Sequence, residues 1–292
     1  MISRPATAQK SGLQHLKPAL WLAPLVLFFA LFQLAPMGWV LINSFIYDGE
    51  FALDNYLEVL DSAFMMQGFS NSLWLAVWSS IIGLAIATLL VASLRRIDSK
   101  IRDGVIAFTN MSSNFAGVPL AFAFIIILGT NGAITLLLKQ YGLLGDFDLY
   151  GKWGLLTIYI YFQIPLAVLL LYPAFDALSD DWQAAAALLG ASNRQYWGKV
   201  ALPVLSPALL GTFIILIANA IGAYASVYAL TAGNYNVITV RIASLVSGDM
   251  FLEPNLAAAI SVVLMAILAF ITAINQWLIS KSYAGKKAHA KQ

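Results

Sequence analysis

An all-α integral membrane protein with six transmembrane helices is the fold class this sequence predicts, and three observations predict it. Apolar residues fill 61% of the 292 positions and charged residues only 10%, against about 25% in an ordinary soluble domain. The few charges divide the chain into blocks separated by six long uncharged gaps. Lys and Arg fall overwhelmingly on alternate sides of those gaps. A mean hydropathy of +0.81 with 8 Trp, 12 Tyr and 17 Phe describes a surface that meets lipid and excludes a soluble globular protein, a disordered chain and a fibrous one.

The gaps run over Pro18 to Tyr47, Ser62 to Leu94, Gly104 to Leu138, Trp153 to Phe175, Val200 to Val240 and Pro254 to Ser280. Crossing about 30 Å of hydrocarbon takes roughly 20 apolar residues, so each gap holds one span. The third is interrupted by Gly117-Val118-Pro119 and by Gly129-Thr130-Asn131-Gly132, which predicts one kinked span followed by a short apolar stretch, Ala133 to Leu138, near the interface. In the fifth, Gly233-Asn234-Tyr235-Asn236 predicts a loop at the far surface.

Orientation follows from the basic residues, because basic loops stay cytoplasmic. Thirteen lie on one side: Arg4, Lys10, Lys17, Arg95, Arg96, Lys100, Arg102, Arg194, Lys199, Lys281, Lys286, Lys287 and Lys291. Three lie on the other: Lys139, Lys152 and Arg241. Both termini are therefore expected in the cytoplasm, with residues 1–17 and 281–292 as tails, 18–280 as the membrane domain and 176–203 as a cytoplasmic loop. Asp48, Glu50, Asp54, Glu58 and Asp61 fall outside with no basic neighbour. The first span, too long for a signal peptide and lacking a small-residue cleavage site, is expected to persist as an anchor.

What the spans lack narrows the function. No Asp, Glu, Lys or His sits in a gap, whereas a coupling-ion site or proton relay keeps one despite its cost. Both His, at 15 and 289, lie in the tails, so neither a His metal cluster nor a carboxylate pair is available within a span. With no Cys, there is no disulfide framework, thiolate metal site or Cys nucleophile. No catalytic residue, metal site or cofactor is expected, and a net charge of +2 implies no nucleic-acid partner. The stretch from Gly190 to Val200 is no phosphate loop: its glycines stand too far apart and Val200 replaces the Ser or Thr that holds magnesium. ATP-driven transport would need hydrolysis by another polypeptide. The polar residues within spans, among them Asn110, Asn114, Gln163, Asn219, Ser226 and Asn275, are mild ones that more often join helices than hold substrate.

The loop from Asp176 to Pro203 carries the strongest signal. Asp180-Asp181-Trp182-Gln183 predicts a helix start, with Asp180 as cap and Gln183 three residues on. Ala184 to Ala187 and two leucines propagate it, and Gly190 ends it in the left-handed conformation. Ser192 with Gln195 predicts a second capping box, opening a short helix that stops at Leu202-Pro203. Exposed Trp182, Tyr196 and Trp197 on a helix pair too short for its own core predict a docking element; a hairpin that merely packs on the membrane surface is the other reading.

At these residues the chain resembles the "EAA" loop of permease subunits in binding-protein-dependent ABC importers. Gln183 through Ser192, then Trp197, Val200, Leu202 and Pro203, match its pattern E-A-A-x-x-x-G with a downstream hydrophobic residue and Leu-Pro. Ala184 stands where the family usually has Glu. The likeness extends to Trp21-Leu22-Ala23-Pro24, Asn43-Ser44-Phe45 and Asp54-Asn55-Tyr56, and, through Gly129-Thr130-Asn131-Gly132, Tyr161 to Pro165 and Ala218 to Tyr224, to the spermidine/putrescine-like branch. The resemblance implies a type I ABC importer core paired with a second permease subunit, ABC ATPase subunits and an extracytoplasmic solute-binding protein in the bacterial inner membrane. It implies ATPase coupling through Asp181, Gln183, Ala184, Ala187, Gly190, Ala191, Ser192 and Arg194, the last being a polar contact or only a positive-inside residue.

The pathway is expected between the third and fifth spans, with Asn114, Asn219, Tyr224 and Tyr228 as candidates. At 100° per residue Tyr224 and Tyr228 share a face while Asn219 lies roughly 140° from Tyr224, so only the tyrosines form a stripe. Aromatic faces suit a cationic, polyamine-like solute; a pathway without its own binding site, selection resting with the binding protein, is equally consistent. An ATP-independent carrier or channel and a membrane scaffold stand as alternatives.

Overall fold

A computed structural model describes residues 22–95, 97, 99–142, 147–247 and 252–289, with 180 and 278–289 described by backbone alone. Residues 1–17 with their basic side chains and His15, Trp21, Arg96 and Lys291 lie outside the described residues, as do the side chains of Lys281, Lys286, Lys287 and His289.

Among the described residues six helical stretches are long and apolar enough to cross a membrane: Leu22–Asn43, Ala63–Leu94, Val118–Gln140, Lys152–Phe175, Asn193–Ile221 and Pro254–Trp277. The first, α1 (Leu22–Asn43), widens into a π-turn over Ala30–Leu34, where the Ala35 N–H reaches back to the Ala30 carbonyl. Pro36 follows at once, and the wider turn accommodates a ring that would otherwise collide with the preceding turn. A hairpin unforeseen from sequence comes next, β1 (Ile46–Tyr47) against β2 (Glu50–Phe51). Asp48 at φ 47° and Gly49 at φ 85° form its turn, the Asp-Gly pair that such tight hairpins favour. Asn55, near the start of α2 (Asp54–Asp61), donates to the Ser44 and Ile46 carbonyls at 3.2 and 2.9 Å, and the Tyr56 hydroxyl donates to Ser44 Oγ at 2.7 Å. The separated motifs Asn43-Ser44-Phe45 and Asp54-Asn55-Tyr56 thus meet as one staple.

Helix α3 (Ala63–Leu94), capped by Ser62, buries Gly68, Ser72, Ala76, Ser79, Ser80, Gly83 and Ala87. Small residues at this spacing let helices approach where lipid supplies no hydrophobic drive for association. A Cβ on Gly83 would come 2.9 Å from the Cβ of Gln163, so the closest approach is to α7 (Lys152–Phe175). That helix is the centre of the bundle, with 61% of its apolar window buried, against none for α1.

Between α3 and α7 lie α4 (Ser99–Ser113), α5 (Val118–Leu128) and α6 (Ala133–Gln140). The expected single kinked span is therefore a broken pair, α4 and α5. Gly117 at φ +72° and Pro119 in the first turn of α5 supply the break. The expected apolar stretch Ala133 to Leu138 is helical, and the length that qualifies as a span is Val118–Gln140.

After the loop helix α8 (Asp180–Leu188) come α9 (Asn193–Tyr196), a π-turn over Trp197–Ala201 and α10 (Leu202–Ile221) in one unbroken run. The expected stop at Leu202-Pro203 is corrected. The π-turn carries the helix through, with the Leu202 N–H bonded to the Trp197 carbonyl, and Pro203 sits in the first turn of α10 where a missing N–H costs least. Helix α11 (Tyr224–Thr231) follows a break at Gly222-Ala223. Past the expected loop at Gly233 to Asn236, α12 (Ile238–Ser247) is an additional helix, packed on α3 and on α13 (Pro254–His289).

Candidate functional site

Two regions carry functional geometry: the projecting loop and the junction of the two broken helices. In the loop, the cap of α8 is Ser179 rather than Asp180, its hydroxyl accepting from the Asp181 N–H at 3.3 Å. Both residue types cap well, and the backbone of Ser179 takes the extended conformation that a cap requires. The far end closes as expected. Gly190 has φ +77°, its N–H bonds the Ala187 carbonyl, and the Ala191 N–H bonds the Ala186 carbonyl, both at 2.9 Å. This reciprocal pair is the Schellman arrangement. Nothing lies within 4 Å of a Cβ built on Gly190, so backbone conformation, not space, selects glycine there. The box at Ser192 also forms, Ser192 Oγ accepting from the Gln195 N–H at 3.3 Å and Gln195 Oε1 from the Ser192 N–H at 2.7 Å. Gln183 Nε2 reaches Asn193 Oδ1 at 3.5 Å, linking the two loop helices.

Exposure corrects the expected docking side chains. Tyr196 is buried and Trp197 half-buried, its ring edge-to-face with Tyr196 and tilted against Phe175 at centroid distances of 6.3 and 6.4 Å. Starting at Ser192, the helix turns this face inward, and the pair anchors the loop to the bundle together with Leu171, Leu178 and Leu205. Arg95, at the end of α3, adds a 2.6 Å bond from Nη2 to the Leu178 carbonyl. Trp182 remains exposed, and the outstanding apolar groups are two that sequence reasoning did not single out: Leu188 at 90% and Leu189 at 88% exposure. They end α8, and the tight Gly190 turn fixes their direction. Asp181, Gln183, Ala184, Ala187, Gly190, Ser192 and Arg194 are all exposed and Ala191 half-buried, so the loop presents one nearly unpacked surface.

At the second region the two breaks meet. The Gly117 N–H donates to Ser226 Oγ at 3.1 Å, and that hydroxyl lies 3.4 Å from the Gly117 carbonyl. Around this contact is a cavity of about 170 Å³ whose walls include Phe162, Asn219, Tyr224 and Ser226. Asn219 and Tyr224 thus share one site, against the angular estimate, because the helix breaks between them at Gly222-Ala223 and a continuous 100° step does not cross the break. Tyr224 and Tyr228 do form the expected stripe, with ring centroids 5.3 Å apart. Asn114 is not brought in: its amide donates to the Asn110 carbonyl of its own helix at 2.9 Å. Behind the cavity Gln163 joins three spans, donating to Ser80 Oγ at 3.0 Å and the Leu216 carbonyl at 2.7 Å and accepting from Asn219 at 3.2 Å. Among the described residues, no group of three or more His, Asp or Glu could hold a metal ion.

The described residues thus hold six membrane-length helices, two helix breaks that meet beside a cavity of about 170 Å³, and one loop with capped helices. The fold matches that of a bacterial ABC transporter involved in the import of the acidic polysaccharide alginate, at a TM-score of 0.75 and 17% identity over 92% of this chain and 96% of that one. A bacterial alginate ABC transporter in complex with an alginate pentasaccharide-bound periplasmic protein matches at 0.72 and 18% identity, over 90% and 93%. Residues 79–282 match the family model of the binding-protein-dependent transport system inner membrane component. The chain belongs to that family, as a multi-pass protein of the bacterial inner membrane.

Relatives include a ferric transport system permease protein of Actinobacillus pleuropneumoniae, 26% identical over 90% of this chain. A thiamine transport system permease protein of Brucella suis is 29% identical over 51% of the chain, and a trehalose transport system permease protein of Mycobacterium tuberculosis is 22% identical over 80% of each. The chain spans 38% of the ferric relative and 27% of the thiamine relative.

Proposed function

We propose that this chain is one of two permease units of an ATP-driven importer, forming the translocation pathway for a small solute delivered by an extracytoplasmic binding protein. The observation that carries the reading is α8: a helix capped at both ends, nearly unpacked on its own chain, with Leu188 and Leu189 projecting at its end. Such a surface suits a groove on a separate ATPase subunit, with residues 176–203 as the coupling loop on the cytoplasmic side and residues 1–17 and 281–292 as cytoplasmic tails. Closure of the nucleotide sites would move α7 and α10 together through Tyr196, Trp197 and Phe175, which pack the loop onto both helices. Alternating access needs two sites joined by such rigid elements. The cavity at Asn219, Tyr224 and Ser226 is the pathway constriction in this reading.

For the substrate, resemblance to the spermidine/putrescine-like branch supports a polyamine-like cation, as do the Tyr224–Tyr228 pair and the exposed acids Asp48, Glu50, Asp54, Glu58 and Asp61. The relatives named for ferric ion, thiamine and trehalose do not single out one solute. The test is reconstitution with the ATPase, second permease and binding protein in proteoliposomes. ATP-dependent uptake of the ligand that thermally stabilises the binding protein is the expected result. Uptake without ATP, or an assembly that never retains an ATPase subunit, overturns the reading.

A further inference from the structure

Where α3 and α7 pack together at the end away from the loop helix α8, they carry a cluster that the pathway does not use. Trp74 of α3 is half-buried and stands 20 residues before Leu94, about 30 Å along the helix, which is the thickness of the hydrocarbon core. Lys152 opens α7 and lies about 35 Å along that helix from Phe175. Both therefore sit at one membrane–water boundary. There the Lys152 ammonium rests 3.8 Å over the Trp74 ring. Trp153 meets Trp74 edge-on at 5.6 Å, and Trp78 lies tilted against it at 6.4 Å. Trp153 is 66% and Trp78 46% exposed, and the exposed side of α3 continues through Ile81 and Ile86, a strip suited to acyl chains. Lys152 is one of three basic residues on this side of the chain. Among the described residues no carboxylate forms an ion pair with it. Asp148, the described acid nearest in sequence, accepts from the Tyr150 N–H at 2.9 Å. Because Lys152 is exposed, donors of its ammonium remain open to an outside acceptor.

We propose that this cluster binds an anionic phospholipid of the phosphatidylglycerol type. The lipid phosphate accepts from the Lys152 ammonium, Trp74 holds that ammonium in place through a cation–π contact, and an acyl chain lies along Ile81 and Ile86. Indole rings favour this depth of the bilayer by themselves, so tryptophans alone would hold any lipid equally. The fixed cation is what discriminates. A zwitterionic headgroup carries its own ammonium beside the phosphate, which repels Lys152; a glycerol headgroup carries none. Basic side chains at a membrane surface attract anionic lipid in this way. The inference needs only the membrane position of the chain and is independent of the solute and of the ATPase.

The test places the full chain in vesicles of equal phosphatidylglycerol and phosphatidylcholine with matched acyl chains. A benzophenone amino acid replaces Trp153 or, as the reference, Phe32, which is 68% exposed on α1 with no basic residue near it in sequence. After irradiation, mass spectrometry is expected to find the ratio of phosphatidylglycerol to phosphatidylcholine adducts about fivefold higher at position 153 than at position 32. Lys152→Gln should abolish that enrichment and leave the ratio at position 32 unchanged, which also shows that the chain remains inserted. Equal ratios at the two positions in the wild type, or an enrichment that survives Lys152→Gln, overturn the proposal. The same position irradiated in native membranes should again yield lipid adducts. Joining to another protein subunit there would show that protein, not lipid, covers the cluster, and would equally overturn it.

Discussion

Truncating Leu188 separates a docking role from a folding role, because the side chain is 90% exposed in the isolated chain. Leu188→Ala removes three carbons that contribute almost nothing to the permease fold. If the ATPase groove buries them, at about 0.8 kcal/mol per methylene, docking weakens by about 2.4 kcal/mol, or roughly 50-fold in affinity. Leu189, 88% exposed on the next residue, makes the same prediction, but the two share one knob and the double variant will fall short of the sum. The assay is twofold: thermal unfolding of the purified permease, expected unchanged, and titration of ATPase subunits into nanodisc-held permease, expected to show the loss. Equal affinity for wild type and the double alanine variant would refute the apolar docking surface. A destabilised permease with normal docking would show instead that the leucines pack on their own chain.

Gly190→Ala has room for its methyl group but strains the φ +77° backbone by about 1 to 2 kcal/mol, and is expected to reduce ATPase stimulation about tenfold. Gly190→Pro cannot adopt that backbone and loses the N–H bonded to Ala187, so uptake and stimulated ATP hydrolysis should both vanish while membrane insertion, read by protease accessibility, persists. Gln163→Leu breaks three interhelical bonds, each worth about 0.6 kcal/mol in a membrane, and should cost about 2 kcal/mol in detergent unfolding. Ser226→Ala frees the Gly117 N–H, a loss of about 1 kcal/mol; uptake in proteoliposomes should fall several-fold with ATPase docking intact.

The legible parts of this molecule are those set by charge or by a few neighbouring residues. Six spans could be read because each is built around a long uncharged stretch, and the Gly190 turn and Ser192–Gln195 box because each closes within one turn of helix. Choice between equivalents was not legible: Ser179 and Asp180 cap equally well, and only the backbone decides. Tyr196 reads as a surface aromatic until the following π-turn and the end of α7 place it inside. The hairpin at Asp48-Gly49 has two residues per strand, too few to show an alternating pattern. Helix α12 follows a polar loop and carries Arg241, which hides its apolar length. The convergence of Asn219 and Tyr224 depends on a break that suspends the angular count, while the meeting of Gly117 with Ser226 spans 109 residues and leaves no local trace.

The helix that leaves the loop at Asn193 does not end until Ile221, so the loop and the cavity are the two ends of one rod. At 1.5 Å per residue its 29 residues reach about 43 Å, far enough to carry a push from outside the bilayer to its interior without an intermediary. The extra residue in the turn at Trp197–Ala201 makes a pivot near the driven end, and Gly222-Ala223 makes a second at the working end. In the importer proposed above, a stroke applied at α9 by an ATPase subunit would arrive at Tyr224 as a tilt, its size fixed by where these two joints divide the rod.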